Sequence, residues 1–285
     1  MNSISANLNV MIKACEKASK ILIRDFGEIE KLQVSKKGPT DFVTNSDIKV
    51  EKIIIDELKK ARPSYSFITE ENGKIKNKDQ NNVWVIDPID GTVNFLHGIP
   101  HFAISVALLS NEEIISGIIY DPIKDEMFFA EKNNGAFFNN HRIRVSKKNK
   151  INECLFVTGG KLDNQIELPL RKTGCAALDL AYVASGRFDG FFQNNLNLWD
   201  IAAGLILIKE AGGTINEIEF REWVDDFFKE HPDIKPRDYQ IDAAFKILKY
   251  RRCLAELATS AGKTLISFII SFCLLCKSAI LLSIV

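Results

Sequence analysis

Apolar side chains recur at Leu8, Met11, Ile12, Cys15, Ala18, Leu22 and Phe26, and this three-and-four spacing predicts an amphipathic helix over residues 4–26. A polar stretch containing Gly38-Pro39 follows. A second helical pattern opens near Ser46 or Asp47, continues through Val50, Ile54 and Leu58, and stops at Ala61 before Pro63. From Tyr65 the texture changes to short apolar runs, predicting strands at 66–69, 83–87, 103–109, 114–120 and 126–130. A turn-rich ribbon, GAFFNNHRIRV, follows, with its hairpin turn at Asn139-Asn140. Beyond residue 150, short strands alternate with helices near 176–185 and 199–211. Two helices, a strand-rich block and then mixed elements predict an α/β fold in which layers of helices pack on sheets.

The pattern changes near residue 217. Residues 221–252, REWVDDFFKEHPDIKPRDYQIDAAFKILKYRR, read as amphipathic helix with no strand, which places a domain boundary at 217/218. Residues 265–285 form the most apolar segment of the chain. Lys277 interrupts it, and neither half reaches the about 20 residues that a membrane span needs. A buried helix from Thr264 to Cys276 and a buried strand from Ala279 to Val285 account for it better.

Composition narrows the class. The 285 residues carry 37 Lys+Arg against 37 Asp+Glu, so neither a basic nucleic-acid coat nor an acidic disordered tail is described. With 46% hydrophobic residues, only 16 Gly and 8 Pro, the chain can bury a sizeable core in one large domain or two smaller ones. The six cysteines are scattered, and residues 1–20 lack a basic start followed by an apolar run. A reducing, cytoplasmic setting is the expectation. Cys273 and Cys276 form a lone Cys-x-x-Cys among Phe272, Leu274 and Leu275, and read as buried thiols rather than as half a zinc site.

The candidate chemistry lies in WVIDPIDGTVNF, residues 84–95. An apolar strand ends in Asp87, and Asp90 follows across Pro88-Ile89. Pro88 fixes its φ, so the chain turns tightly and the two carboxylates can converge. Gly91 permits close backbone approach, and Thr92 can cap a short helix whose free N–H groups would favour a phosphate. Converging carboxylates beside an anion need cations between them, and hard oxygen donors suit Mg²⁺. On this motif alone, a capped surface turn explains the residues equally well. Further acids strengthen the metal reading: Glu70 and Glu71 end the strand SFITEENG, Asp200 opens a helix in LWDIAAG, and Asp47 opens another beside Thr44. His97 and His101 straddle Pro100 and read as loop residues, not a helical zinc pair.

Together DFVTNSD, SFITEENG, WVIDPIDGTVNF and LWDIAAGLILIKEAGG resemble the inositol monophosphatase family of Mg²⁺-dependent, lithium-sensitive phosphatases, over about residues 4–216. The resemblance implies a layered α-β-α-β sandwich. It implies Mg²⁺ ligands at Glu70, Asp87, the Ile89 carbonyl, Asp90 and Asp200. Asp47 and Thr92 match the pair that, with Glu70, orients the attacking water. Substrate contacts are implied at Asp90, Gly91 and Thr92 for the phosphate, and at Gly174, Cys175 and Ala176 for a sugar-like ring. Gln193 falls where many members carry a substrate-binding Glu, which leaves ring-hydroxyl preference open. The implied reaction is hydrolysis of inositol monophosphate by metal-activated water, with a sugar bisphosphate or a 3′-nucleotide as alternative substrates. A small phosphorylated polyol or sugar is thus the expected partner, a homodimer is allowed, and neither nucleic acid nor membrane is expected.

The family's closing strands and helix do not follow AGGTI, so the phosphatase domain, 1–217, reads as C-terminally truncated. Instead PRDYQ and LATSAGKT resemble the start of a phage-type superfamily 2 DNA helicase, implying nucleotide contacts at Gln240, Gly262, Lys263 and Thr264. A chance Gly-Lys-Thr is the competing reading. The chain stops at the next strand, SAILLSIV, without an acidic partner motif, so 218–285 reads as an incomplete helicase-like segment. A nucleotide- or DNA-binding fragment and a non-functional fusion therefore stand beside the phosphatase reading. The tail is expected to leave apolar surface and a sheet edge uncovered, with docking of the tail on that edge the less favoured outcome.

Overall fold

A computed structural model describes residues 4–29, 34–36, 42–148, 150, 153–159, 169–193, 196–215 and 280–283. Helix α1, Ala6–Phe26, starts where the Ser5 hydroxyl accepts from Leu8 N at 3.1 Å. A short antiparallel ribbon, β1 (Val34–Lys36) and β2 (Phe42–Thr44), leads into α2, Asn45–Ala61. Thr44 and Asp47 form a reciprocal capping box there, so the acid that opens α2 also fixes its first turn.

The strand-rich block is one eight-stranded sheet. Its strands are β3 (Tyr65–Thr69), β4 (Gly73–Ile75), β5 (Asp79–Asp90), β6 (Ala103–Ser110), β7 (Glu113–Asp121), β8 (Glu126–Glu131), β9 (Gly135–Phe138) and β10 (His141–Arg142). Their spatial order is β10-β9-β8-β7-β6-β5-β3-β4, and β3 and β5 are its parallel pair. The predicted hairpin at Asn139-Asn140 joins β9 to β10. A short helix, α3 (Thr92–Leu96), sits between β5 and β6.

Alternation along the strands assigns the two faces. Trp84 and Ile86 on β5, with Ile104, Val106 and Leu108 on β6, pack in a core with Leu8, Met11, Leu22, Val50 and Ile54 of α1 and α2. Val85, Ala103 and Ala107 point the other way, into a second core. That core also contains residues of β11 (Phe156–Val157), α4 (Ala176–Ala184), β13 (Gly190–Gln193), α5 (Leu198–Glu210) and β14 (Thr214–Ile215), while β12 (Leu170–Arg171) pairs with β11 outside it. Helices α1 and α2, the large sheet, helices α4 and α5, and a second sheet thus stack in sequence, the predicted α-β-α-β layering. Small residues allow the close fit. A Cβ at Gly117 of β7 would lie 2.7 Å from Ile206 Cγ2 and 2.8 Å from Ala203 Cα of α5.

The second sheet corrects one expectation. Its order is β12-β11-β13-β15-β14, where β15 is Ile280–Ser283 from the tail. The backbone pairs Gln193 with Ile280, Phe191 with Leu282, and Ile215 again with Leu282. Rather than leaving the edge open, the tail strand lies between β13 and β14. The physical reason is that both strands present unpaired N–H and C=O groups, and an apolar segment returning to them satisfies both at once. The predicted helix at 264–276, Cys273, Cys276, Gln240, Gly262, Lys263 and Thr264 lie outside the described residues.

Candidate active site

The long strand β5 delivers two carboxylates by an irregularity that the sequence pattern does not show. In a regular strand, positions three apart face opposite sides. Here Asp87 pairs with Ser105 and Asp90 with Ala103, three steps on β5 against two on β6. This bulge inserts one residue and returns Asp90 to the face of Asp87. Pro88, without an N–H, suits the unpaired stretch. The Asp87 carboxylate accepts from Ile89 N at 3.0 Å, which tightens the turn.

Glu70 follows β3 directly, and its N–H donates to the Ile86 carbonyl at 3.2 Å, so it lies beside Asp87. The two side chains are hydrogen bonded. Glu51, fully buried on α2, grips the turn that carries Glu70. Its oxygens accept from Glu71 N at 2.9 Å, Asn72 N at 3.1 Å and Asn72 Nδ2 at 2.6 Å. Asp200 enters from the first turn of α5, where it accepts from Asn197 N at 2.6 Å in a second capping box. The Ser105 hydroxyl, on the Asp87 face of the sheet, donates to Trp199 O at 3.3 Å and ties α5 to that face.

Electrostatics shows how crowded these acids are. Burial, then Glu70, Asp90 and Asp200, push the Asp87 carboxyl well above the usual range. Burial and then Asp200 push Asp90 up to about 7, against hydrogen bonds from Ala177, Cys175 and Gly91. Among the described residues, no three acidic, histidine or cysteine side chains close into a ready coordination shell. Glu70, Asp90 and Asp200, all half-buried, nonetheless repel the buried Asp87, a strain that either a shared proton or a bound cation relieves. Their all-oxygen chemistry fits a hard divalent ion, with Glu70, Asp87, Asp90, Asp200 and the Ile89 carbonyl the groups at hand.

The remaining predicted residues divide. Asp47 Oδ2 accepts from Thr44 N at 2.8 Å and Thr44 Oγ1 at 2.6 Å, while its Oδ1 is buried without a partner. Burial pushes this carboxyl up to about 6, and Glu71 adds to the effect. Thr92 does not cap α3. The cap is Gly91, in the left-handed region at φ 95°, and Thr92 Oγ1 instead donates to the Ile89 carbonyl at 3.0 Å. Asp47 and Thr92 are not hydrogen bonded to each other in this structure. Of the predicted loop residues Gly174, Cys175 and Ala176, it is Cys175 that meets an acid: its Sγ lies 3.2 Å from Asp90 Oδ2, which also accepts from Ala177 N. Gln193 Oε1 accepts from Gly159 N at 2.9 Å. His97 closes α3 and His101 is half-buried, as loop residues.

Sequence reasoning missed Glu51, Asn94 and Asp179, which bond around the site without being among the converging acids. A signal existed for Glu51, because Asp47 and Glu51 are four apart and share a helix face.

A layered α/β scaffold with carboxylates gathered from a strand bulge, a turn and a helix start, Asp87 buried and the others half-buried, defines a class of acid-clustered catalytic domain. The chain belongs to the inositol monophosphatase family, whose match covers residues 5–243 and so runs past the 217/218 boundary. It is 49% identical over 230 residues to an inositol-1-monophosphatase of Rhizobium meliloti, covering 75% of this chain and 86% of that protein. It is 40% identical over 226 residues to the Nus factor SuhB of Escherichia coli, covering 74% of this chain and 84% of that one. Among solved structures, extragenic suppressor protein SuhB of Bartonella henselae superposes with a TM-score of 0.71 at 47% identity, over 75% of this chain and 88% of that chain. By this kinship the chain is a phosphoric monoester hydrolase. No helix among the described residues is long and apolar enough to cross a membrane.

Proposed function

We propose that this chain hydrolyses a phosphate monoester with Mg²⁺ at the Glu70–Asp87–Asp90–Asp200 cluster, and that inositol monophosphate is its substrate. The observation that carries this reading is the convergence of four acids, with Asp87 and Asp90 raised by burial and by their neighbours. Mg²⁺ bound there would offset the charge of the phosphate oxygens and lower the pKa of a nearby water. The chain's own groups orient the reactants. Glu70 stands beside Asp87, and the unpartnered Oδ1 of Asp47 is a proton acceptor for a water placed between them. The left-handed turn at Gly91 brings backbone close to the site, where a Cβ would lie 3.1 Å from His101 O. Gln193 offers an amide where a ring hydroxyl would bind, and its bond to Gly159 must then exchange.

Phosphate release from inositol monophosphate, a sugar bisphosphate and a 3′-nucleotide, each with and without Mg²⁺, tests the proposal. Inositol monophosphate should be turned over fastest and only with the ion. Preference for another ester would move the substrate assignment, and turnover in a chelator would remove the metal. A relative carries the name Nus factor SuhB, while the chain's balance of 37 basic against 37 acidic residues adds no net charge that would draw it to a nucleic acid. The helicase-like reading of Gln240, Gly262, Lys263 and Thr264 stands as a separate proposal, tested by ATP-analogue binding that Lys263→Ala should abolish.

A further inference from the structure

The loop from Thr173 to Ala176 is clamped from two sides. From α3, Asn94 Nδ2 donates to Thr173 O at 2.9 Å and to His101 O at 2.8 Å. From α4, Asp179 Oδ1 accepts from Thr173 Oγ1 at 2.5 Å, and that hydroxyl also accepts from Cys175 N at 3.4 Å. Asp179 is 0% exposed, and its Oδ2 has no partner. Burying a carboxyl in this way opposes folding, and an apolar side chain of similar size would pack there without that penalty. What the clamped loop and the first turn of α4 present to the site is one thiol, from Cys175, and one N–H, from Ala177, and both meet the same oxygen of Asp90.

We propose that Asp179 is a positioning residue for Asp90: through Thr173 it ties the loop to the first turn of α4, so that the Cys175 thiol and Ala177 N–H meet at Asp90 Oδ2, and so fixes how that carboxylate faces Asp87 and Asp200. Asp179 itself bonds to none of the four converging acids. Its role is that of an outer partner, which orients a ligand by holding what holds it. The inference rests on the reading of Asp90 as a cation ligand, and its test keeps the two apart.

Mn²⁺ binding to the full chain, followed by the loss of the free-ion electron paramagnetic resonance signal, is the measurement. The wild-type chain should bind, and failure to do so overturns the reading of the cluster rather than the role of Asp179. Asp179→Ala should raise the half-saturating Mn²⁺ concentration roughly tenfold, the scale typical of lost outer partners. Asp179→Asn keeps an oxygen that accepts from Thr173, so it should restore binding close to wild type. Thr173→Val, which removes the bridging hydroxyl, should match Asp179→Ala. Wild-type affinity in both Asp179→Ala and Thr173→Val, or an Asp179→Asn chain as weak as Asp179→Ala, overturns the proposal. Circular dichroism accompanies each variant. If Asp179→Ala fails to fold, Thr173→Val decides, and if that also fails to fold, the contact serves the fold and the proposal is overturned.

Discussion

Asp47, Asp90 and Asp179 are pushed up to about 6, 7 and 8, in each case first by burial, and Asp87 moves in the same direction. In the unfolded chain such carboxyls ionise near pH 4, so between that value and their folded values the folded chain holds more protons. The favourable contribution is complete at low pH and is lost as pH rises through the folded values. His101, lowered by burial, acts in the opposite sense, as one half-buried group against four. The exposed carboxyls with lowered values, such as Glu57, are already ionised above pH 5 and leave that window clear. Melting in a chelator should therefore occur at lower temperature at pH 8 than at pH 5. Added Mg²⁺ should raise the melting temperature more at pH 8, where fewer protons compete for the oxygens. A melting temperature that climbs from pH 5 to pH 8 without metal would show that the acids are not crowded as described. Asp90→Asn should abolish turnover and most of the Mg²⁺-induced rise. Thr92→Ala and Asp47→Asn should each lower kcat far more than they raise KM, and a mainly KM effect would contradict their assignment to the water.

Among the elements, those whose apolar period runs unbroken were legible before the structure. Helices α1, α2, α4 and α5, strands β5 to β8 and the β9–β10 turn fall where spacing and turn residues place them. The acids were legible as types at element ends, because Asp87, Asp200 and Asp47 each close or open a patterned run. What pattern could not give was geometry set by partners remote in sequence. The bulge that puts Asp87 and Asp90 on one face exists only in the pairing of β5 with β6. The hydroxyl of Thr92 had two acceptable uses, and only the folded turn selects the Ile89 carbonyl over the helix cap. Glu51 reads as one more charge on a helix until the turn after β3 folds onto it. Glu51→Ala removes the acceptor shared by Glu71 N, Asn72 N and Asn72 Nδ2, of which Asn72 N keeps Thr69 Oγ1 at 3.2 Å, and so loosens the turn that carries Glu70. A lower melting temperature together with a several-fold lower kcat is the expected result, and unchanged kcat in the folded variant would confine Glu51 to a structural role.

At the scale of the molecule, the layers are tied together by contacts that span the chain. Strand β15 was the least legible of these, because its sequence fits any apolar strand and the pattern gives no address for it. Leu282 pairs with Phe191 on one side and Ile215 on the other, so Leu282→Pro removes a ladder donor and should lower the melting temperature of the full chain. An unchanged melting curve would mean that β13 and β14 do not depend on this strand. The same placement orders the birth of the protein on the ribosome. The large sheet draws its strands from residues 65–142, in hairpins and near neighbours that can pair as they emerge. The second sheet has its inner position reserved for residues 280–283, which are translated only after 216–279. During that interval β13, which carries Gln193, and β14 present bare edges to whatever else is nascent nearby. Translation speed through 216–279, which sets how long those edges stand open, thus becomes a determinant of how much of this protein reaches its native form.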